Sequence, residues 1–201
     1  MTSSPLREAR MQDEFNQRCG VLRERLQSKD FLANRGLGNE VGFYLFCYDP
    51  SLELHARDFV RHLTHDAEAD ILPCRIVEHN LYDVLLRICE RKRILDKIPA
   101  QEERRGLEAL QRQLQRAADV SEFTNEMSQE PHKPGDAVLL TGVGEVYPLL
   151  RLHGLFERLQ QRELFDDVPV IAFYPGTYNG RSMSLFGCLP DANYYRAFDL
   201  L

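Results

Sequence analysis

The sequence predicts an α/β protein with a mostly parallel central sheet and helices on both faces. Two apolar runs, Val41 to Tyr48 and Val168 to Gly176, contain no polar alternation, which is typical of strands buried between two layers of helices. A third short run extends from Ala137 to Gly144. Helical patterns separate the runs, and this alternation favours parallel strands. We expect the three runs to be interior strands of a single domain, residues 1–201.

The chain begins with a predicted helical segment, residues 1–38. Pro5 suits the first helical position and Glu8 suits the opening turn, where the helix dipole favours an acid. One apolar face then recurs at intervals of three and four residues: Met11, Phe15, Cys19, Leu22 and Leu26. The first strand follows and ends at Asp49-Pro50, a cap and a proline that together can open the next helix.

The second strand is less distinct than the first. The stretch from Ile71 to Val77 is β-prone, and Pro73 places it at the start or the edge of a sheet. Asn80 can then cap a further helix. Residues 99–130 are predicted as a charged helical insertion, packed on the domain or projecting from it. The thin apolar stripe of this insertion comprises Leu107, Leu110, Leu114 and Phe123.

Sites in parallel sheets lie where the carboxyl ends of the strands meet. We call that edge the rim. It should bring together Asp49-Pro50, the turn from Thr141 to Gly144, and the stretch from Tyr174 to Gly176. Glycine, proline and polar residues interrupt strong apolar runs at all three places, so the rim is the predicted position of a functional site.

The predicted architecture is like that of nucleotide-binding domains, but the residues that bind phosphate are missing. A P-loop needs glycines and a lysine after the first strand. Asp49-Pro50 stand there instead, and an aspartate repels phosphate while a proline has no amide to donate. Gly142 and Gly144 resemble the start of a dinucleotide fingerprint, but its third glycine is Tyr147 here, so a tight turn is the preferred interpretation. We expect no cofactor.

Metal-dependent catalysis is the alternative function. Asp49 and Glu145 follow strand ends, and two carboxylates there can in principle hold Mg²⁺ in a small enzyme that acts on a nucleotide or phosphoester. The pattern offers no third ligand and no general base. His55, His62 and His65 share one predicted helix, where a solvated face is preferred over a zinc site that needs three or four convergent ligands. The sequence therefore favours a non-enzymatic protein without metal.

Composition narrows the class of partner and the compartment. The formal net charge of −6 and a pI near 5.6 disfavour direct binding to nucleic acid, which usually requires clustered Lys and Arg. Five scattered cysteines indicate a reducing compartment. The N-terminus does not resemble a signal peptide, and no apolar run is long enough to span a bilayer. We expect a cytoplasmic protein.

Tyrosines concentrate near the rim and in the C-terminal tail. Tyrosine combines a large, rigid contact area with a polar tip, and tyrosine and arginine are frequent anchors of protein interfaces. The alternative is that these rings are half-buried and cap the core, and the sequence supports the two interpretations equally. The candidate partner-binding residues are Tyr147, Tyr178, Tyr194, Tyr195 and Arg196.

Four segments in this order resemble the BrxB family of BREX phage-defence systems. They are GFYLFCYDP, LLTGVGEVYPLLRLHGLFERLQ, PVIAFYPGTYNGRSMSLFG and the terminal NYYRAF. Each segment alone is weak evidence, but the combination is specific and covers the chain from the N-terminal helix to the end.

The resemblance implies particular partners. A BREX cluster also encodes a DNA methyltransferase, a large ATPase and PglZ, an alkaline-phosphatase-superfamily protein. PglZ is the partner that we most expect at the rim. The alternative docking surface is the helical segment from Pro99 to Met127, whose acidic residues could engage a basic partner.

Overall fold

The computed structural model describes residues 5–34, 42–180, 182–191 and 198–200. The helices are α1 (Pro5–Leu26), α2 (Lys29–Leu32), α3 (Glu53–Glu68), α4 (Leu81–Arg91), α5 (Ile98–Arg105), α6 (Leu107–Ala117), α7 (Val120–Met127), α8 (Val143–Val146) and α9 (Leu152–Gln161). The strands are β1 (Phe43–Tyr48), β2 (Ile76–Asn80), β3 (Ala137–Thr141), β4 (Val170–Tyr178), β5 (Met183–Leu185), β6 (Leu189–Asp191) and β7 (Phe198–Asp199). Short 3-10 turns at Pro50–Leu52 and Leu95–Lys97 precede α3 and α5.

Five strands form the central sheet in the order β2-β3-β4-β1-β7, and all four pairings between them are parallel. β5 and β6 extend β4 as an antiparallel hairpin, so the whole sheet is mixed. Gly176 permits this extension, because a Cβ there would collide with the carbonyl oxygen of Ser184 on β5. The predicted mostly parallel sheet and the interior positions of β1, β3 and β4 are confirmed.

Strand β1 is buried on both faces, which explains its unbroken apolar sequence. Right-handed crossovers are the rule in parallel sheets. The chain moves along the sheet one way from β1 to β2 and the other way from β2 to β4, so this rule places the connecting helices on opposite faces. On one face of β1, the side chains that pack with α4 and α6–α9 are Phe43, Leu45 and Cys47. On the other face, the side chains that pack with α1–α3 are Tyr44, Phe46 and Tyr48.

The second strand begins later than the sequence predicts. Residues 71–74 form bends after α3 instead, and the backbone amides of Ile71 and Leu72 both donate to the carbonyl of Asp66. Pro73 lacks an amide hydrogen and cannot take part in a strand ladder on that side. β2 is an edge strand, as expected, and Asn80 at its end caps α4 by accepting from the amides of Tyr82 and Asp83 at 2.9 and 3.2 Å.

The insertion at residues 99–130 contains three helices. Gly106, with φ of +76°, separates α5 from α6. Of the predicted apolar stripe, Leu110, Leu114 and Phe123 are buried, but Leu107 is 67% exposed at the first position of α6 and the prediction for it is wrong. α7 packs against α4 and α9, so this part of the insertion belongs to the helical layer on one face of the sheet.

The N-terminal segment comprises α1 and α2, and its predicted end at residue 38 lies outside the described residues. Buried Phe15, Leu22 and Leu26 confirm the apolar face of α1. Over the described parts of the chain, no helix has the length and apolarity required to cross a membrane.

Candidate interaction site at the carboxyl edge of the sheet

The register of the strands assembles the rim. Tyr48 at the end of β1 lies opposite Pro175 on β4, and Asn80 at the end of β2 lies opposite Thr141 at the end of β3. The three places that the sequence indicated therefore lie along one edge, although Tyr174 to Gly176 continue β4 and do not end it. Three hollows open along this rim, and they differ in the polarity and charge of the residues that line them.

The first hollow is a cleft of about 180 Å³ between α3 and the ends of β1, β2 and β3, which we call the ion-pair cleft. Arg57 lies between two carboxylates there. Its Nε donates to Oε1 of Glu53 at 2.9 Å, and its Nη2 donates to Oε1 of Glu145 at 2.5 Å. The bond to Glu145 links α3 to α8 across the rim.

Tyr48 completes the network of the ion-pair cleft. Its hydroxyl donates to Oε2 of Glu53 at 2.6 Å, and burial together with this bond raises the pKa of the phenol. On the far side, the hydroxyl of Thr141 donates to Oε1 of Glu78 at 2.6 Å. Three glutamates and two arginines, Arg57 and Arg61, line the cleft. Arg57 is bonded to two of the glutamates and Arg61 to Asp58, so the net negative lining disfavours a phosphate group.

Gly142 has a structural reason to be glycine. Its φ is +69°, in the left-handed region, and a Cβ would lie 2.6 Å from Oδ1 of Asn80, the atom that caps α4. The turn after β3 thus brings the backbone close to a helix cap on the neighbouring strand. This requirement supports the interpretation of Gly142 and Gly144 as a tight turn.

The two carboxylates of the alternative metal site are not brought together. Asp49 caps the 3-10 turn that follows β1, accepting from the backbone amide and hydroxyl of Ser51 at 2.9 and 2.6 Å. It lines a different hollow from Glu145, which bonds Arg57. Throughout the described ranges, no three His, Cys, Asp or Glu side chains converge as a metal site would require. The three histidines of α3, His55, His62 and His65, are all exposed.

The second hollow, which we call the apolar groove, is a volume of about 500 Å³ between α1 and the ends of β1 and β4. Its apolar surface comes from Met11, Phe15, Leu52, Tyr178 and Phe186. Phe186 is 38% exposed and Tyr178 is half-buried. The charged side chains at its border include Arg7, Glu14 and Arg18.

The third hollow contains Tyr147 and measures about 150 Å³. Tyr147 is half-buried, and the guanidinium carbon of Arg151 lies 5.9 Å from the centre of its ring. Tyr174 lines the same hollow but is only 3% exposed, so this ring belongs to the core. Tyr147 and Tyr178 therefore lie at the rim in separate hollows.

The other three candidate residues, Tyr194, Tyr195 and Arg196, lie outside the described residues. Sequence reasoning missed Phe186 and Arg57. Phe186 is an aromatic residue directly before Gly187, a turn signal that could have marked it as exposed. Glu53 and Arg57 are four residues apart on one helix, and this spacing signals their pairing. The bond from Arg57 to Glu145 depends on the strand order of the sheet, which brings the two residues together.

Fold and rim together define an α/β protein with a mostly parallel sheet whose strand ends carry an ion-pair cleft and an open apolar groove. The family model described as BREX protein BrxB matches residues 77–200. A BREX protein BrxB from Bacillus cereus (strain H3081.97) is 35% identical over 190 residues, covering 93% of this chain and 97% of the relative. Another from Escherichia coli O9:H4 (strain HS) is 30% identical over 185 residues, covering 92% and 90%.

The chain belongs to the BrxB family, and the resemblance seen in its four sequence segments is confirmed. No solved structure matches it.

Proposed function

We propose that the chain is a non-catalytic interaction subunit of a BREX phage-defence complex and that it docks a PglZ-type partner at the rim. One observation carries the proposal: the rim offers an open groove with apolar and aromatic walls, while the charged groups of the neighbouring ion-pair cleft are bonded to each other. Membership of the BrxB family supports the BREX setting. The BREX methyltransferase and the large ATPase are further candidate partners.

The apolar groove has the composition of an interface centre. Interfaces combine an apolar core rich in aromatic residues with a polar border. Phe186 and Tyr178 supply aromatic surface, and Arg7 and Glu14 supply charge at the edge. A volume of about 500 Å³ accommodates several side chains of a partner. Insertion of one or two apolar side chains would remove Phe186 from water.

The bonding of the rim carboxylates supports a non-catalytic role. A general base must have a lone pair available to a substrate. Asp49 uses its carboxylate as a cap, and Glu145 uses its carboxylate to bind Arg57. Each carboxylate therefore has one oxygen engaged in local structure, and the two carboxylates line separate hollows and do not act as a pair.

Alanine substitutions in the apolar groove test the proposal. Tyr178→Ala and Phe186→Ala should each weaken binding of the purified PglZ-type protein about thirtyfold, the loss expected when a central interface anchor worth about 2 kcal/mol is removed. A third variant, Tyr194→Ala with Tyr195→Ala, tests the tail. Titration calorimetry measures the affinities, and circular dichroism verifies that each variant is folded.

The matched control is Tyr82→Ala, because Tyr82 is a 42% exposed tyrosine on α4 that lines none of the three hollows of the rim. Its affinity should stay within twofold of the wild type. If all of the groove and tail variants fold and bind at wild-type affinity, docking at the rim is wrong.

A further inference from the structure

A second groove, unrelated to the rim, runs between α5 and α6 on the insertion. It has a volume of about 590 Å³ and is lined by Gln101 and Arg105 from α5 and by Ala109, Arg112, Gln113 and Arg116 from α6. We call it the arginine groove. Its lining contains three arginines and no acid, on a chain whose net charge is −6.

These arginines lack strong counter-charges. Arg112 has one acidic neighbour, Glu108, at 3.7 Å, and both side chains are well exposed. Arg116 donates to the backbone carbonyl of Arg112 at 3.2 Å. Within the described residues, neither Arg105 nor Arg116 has an ion-pair partner. Like charges four residues apart, as at Arg112 and Arg116, destabilise a helix, so this grouping does not serve the stability of the free protein.

Helix α5 adds little to the core. None of its side chains is buried, in contrast to α6, which buries Leu110 and Leu114. Half-buried Ile98 attaches its first turn, and the rest packs against α6 and the preceding 3-10 turn. A helix of eight residues depends on packing for its stability. The main structural role of α5 is therefore to form one wall of the arginine groove.

No acid of the insertion lines the arginine groove, and two of these acids pair with α4 instead. Glu122 on α7 accepts from Arg91 of α4 at 2.7 Å, and Glu126 accepts from the same guanidinium at 3.2 Å. These contacts hold α7 to α4. The sequence suggested that acidic residues of this segment would engage a basic partner, but two of those acids are bonded internally and the open groove is positively charged.

We propose that the arginine groove binds an acidic polypeptide segment of a partner protein. Guanidinium groups pair with carboxylates in two-pronged hydrogen bonds, and three of them on two facing helices can hold several Asp or Glu side chains. The Oε1 atom of Gln101 has no hydrogen-bond partner among the described residues, and because it is buried, a backbone N–H of a polypeptide could satisfy it only after the side chain turns toward the groove. A phosphodiester backbone has no such donor, and the net charge of −6 repels nucleic acid.

This inference extends beyond the proposed docking at the rim and does not depend on it. The two surfaces share no lining residue. Variants of the arginine groove and of the apolar groove can therefore succeed or fail separately.

The test uses the full chain and a fluorescein-labelled peptide of twelve residues in which glutamate alternates with alanine. Fluorescence anisotropy is measured in 0.15 M salt, where charges more than about 8 Å apart are largely screened. Arg105→Glu and Arg112→Glu should each weaken binding at least fivefold. The matched control is Arg104→Glu, the same charge change one residue away in the last turn of α5, which should stay within twofold because Arg104 does not line the groove.

Two further arms separate the other occupants. A duplex DNA of twelve base pairs is added as a competitor, and sedimentation velocity is recorded for the wild type and Arg105→Glu. We expect the DNA to displace little of the peptide, and we expect the wild type and Arg105→Glu to have the same sedimentation coefficient. It is overturned if the peptide does not bind, if all three variants weaken binding equally, if DNA displaces the peptide, or if the wild type forms a dimer that Arg105→Glu abolishes.

Discussion

Strand β1 and helix α5 are two extremes of this molecule. All six residues of β1 are buried, with side chains in both helical layers, whereas α5 has no buried side chain at all. Burial of apolar surface is the main source of folding free energy, so β1 contributes to the stability of the whole domain and α5 contributes little. The difference separates what holds the fold from what it presents to a partner.

Loss of a core ring should have the largest effect. Phe43 is fully buried on β1, with its ring centre 4.8 Å from that of Phe156 on α9. Phe43→Ala should lower the free energy of unfolding by about 2 to 5 kcal/mol, through lost burial and the cavity left behind, and Ile171→Ala on β4 should do the same. Urea unfolding followed by circular dichroism measures it.

The control for the core substitution is Leu107→Ala in the insertion. Leu107 is 67% exposed, so its removal should change the free energy of unfolding by less than about 0.5 kcal/mol. Similar losses at Phe43 and Leu107 would break the comparison between the two regions.

A buried histidine should make stability depend on pH. His79 on β2 is 1% exposed, and neither ring nitrogen has a hydrogen-bond partner among the described residues. The nearest carboxylate, that of Glu130, lies 3.8 Å from Nδ1, too far for a hydrogen bond, and burial outweighs it. Burial, with smaller contributions from Arg87 and His132, lowers its pKa from 6.5 to about 4. The folded state thus prefers the neutral ring.

The sign of the pH effect follows from proton binding. Above pH 6.5 both states are neutral and the stability is complete. As pH falls from 6.5 to 4, the unfolded chain binds a proton that the folded chain does not, so up to about 3 kcal/mol is lost, at 1.36 kcal/mol per pKa unit. Urea unfolding from pH 7 to 4 should show a steeper decline for the wild type than for His79→Leu. Parallel curves would contradict the assignment.

The close approach between β4 and β5 should give the smallest of these effects. Gly176→Ala places a Cβ against the carbonyl oxygen of Ser184 and should destabilise the protein by about 1 to 3 kcal/mol. Gly20→Ala is the matched control, because no atom lies within 4 Å of its Cβ position and alanine favours a helix. Thermal unfolding compares the two, and equal midpoints would show that β5 moves aside freely.

Sequence reasoning succeeded where a residue pattern alone determines burial. The unbroken apolar runs of β1 and β4 identified interior strands, and Asn80 was identified as a helix cap. It failed for Ile71, which was predicted in a strand, and for Leu107, which was predicted in the apolar stripe of a helix. Both side chains are exposed. Both are apolar residues next to a chain turn, where the backbone direction decides which side faces the core.

The sequence by itself determined the mostly parallel α/β sheet, the absence of a P-loop after β1 and the resemblance to the BrxB family, because each depends on residues close together in the chain. Only the tertiary structure decided that Arg57 bonds Glu145, 88 residues away, and that Asp49 and Glu145 belong to different hollows. It likewise decided that arginines of α5 and α6 face one groove. Contacts between residues so far apart in the chain depend on strand order and helix packing, because burial of the whole core decides both.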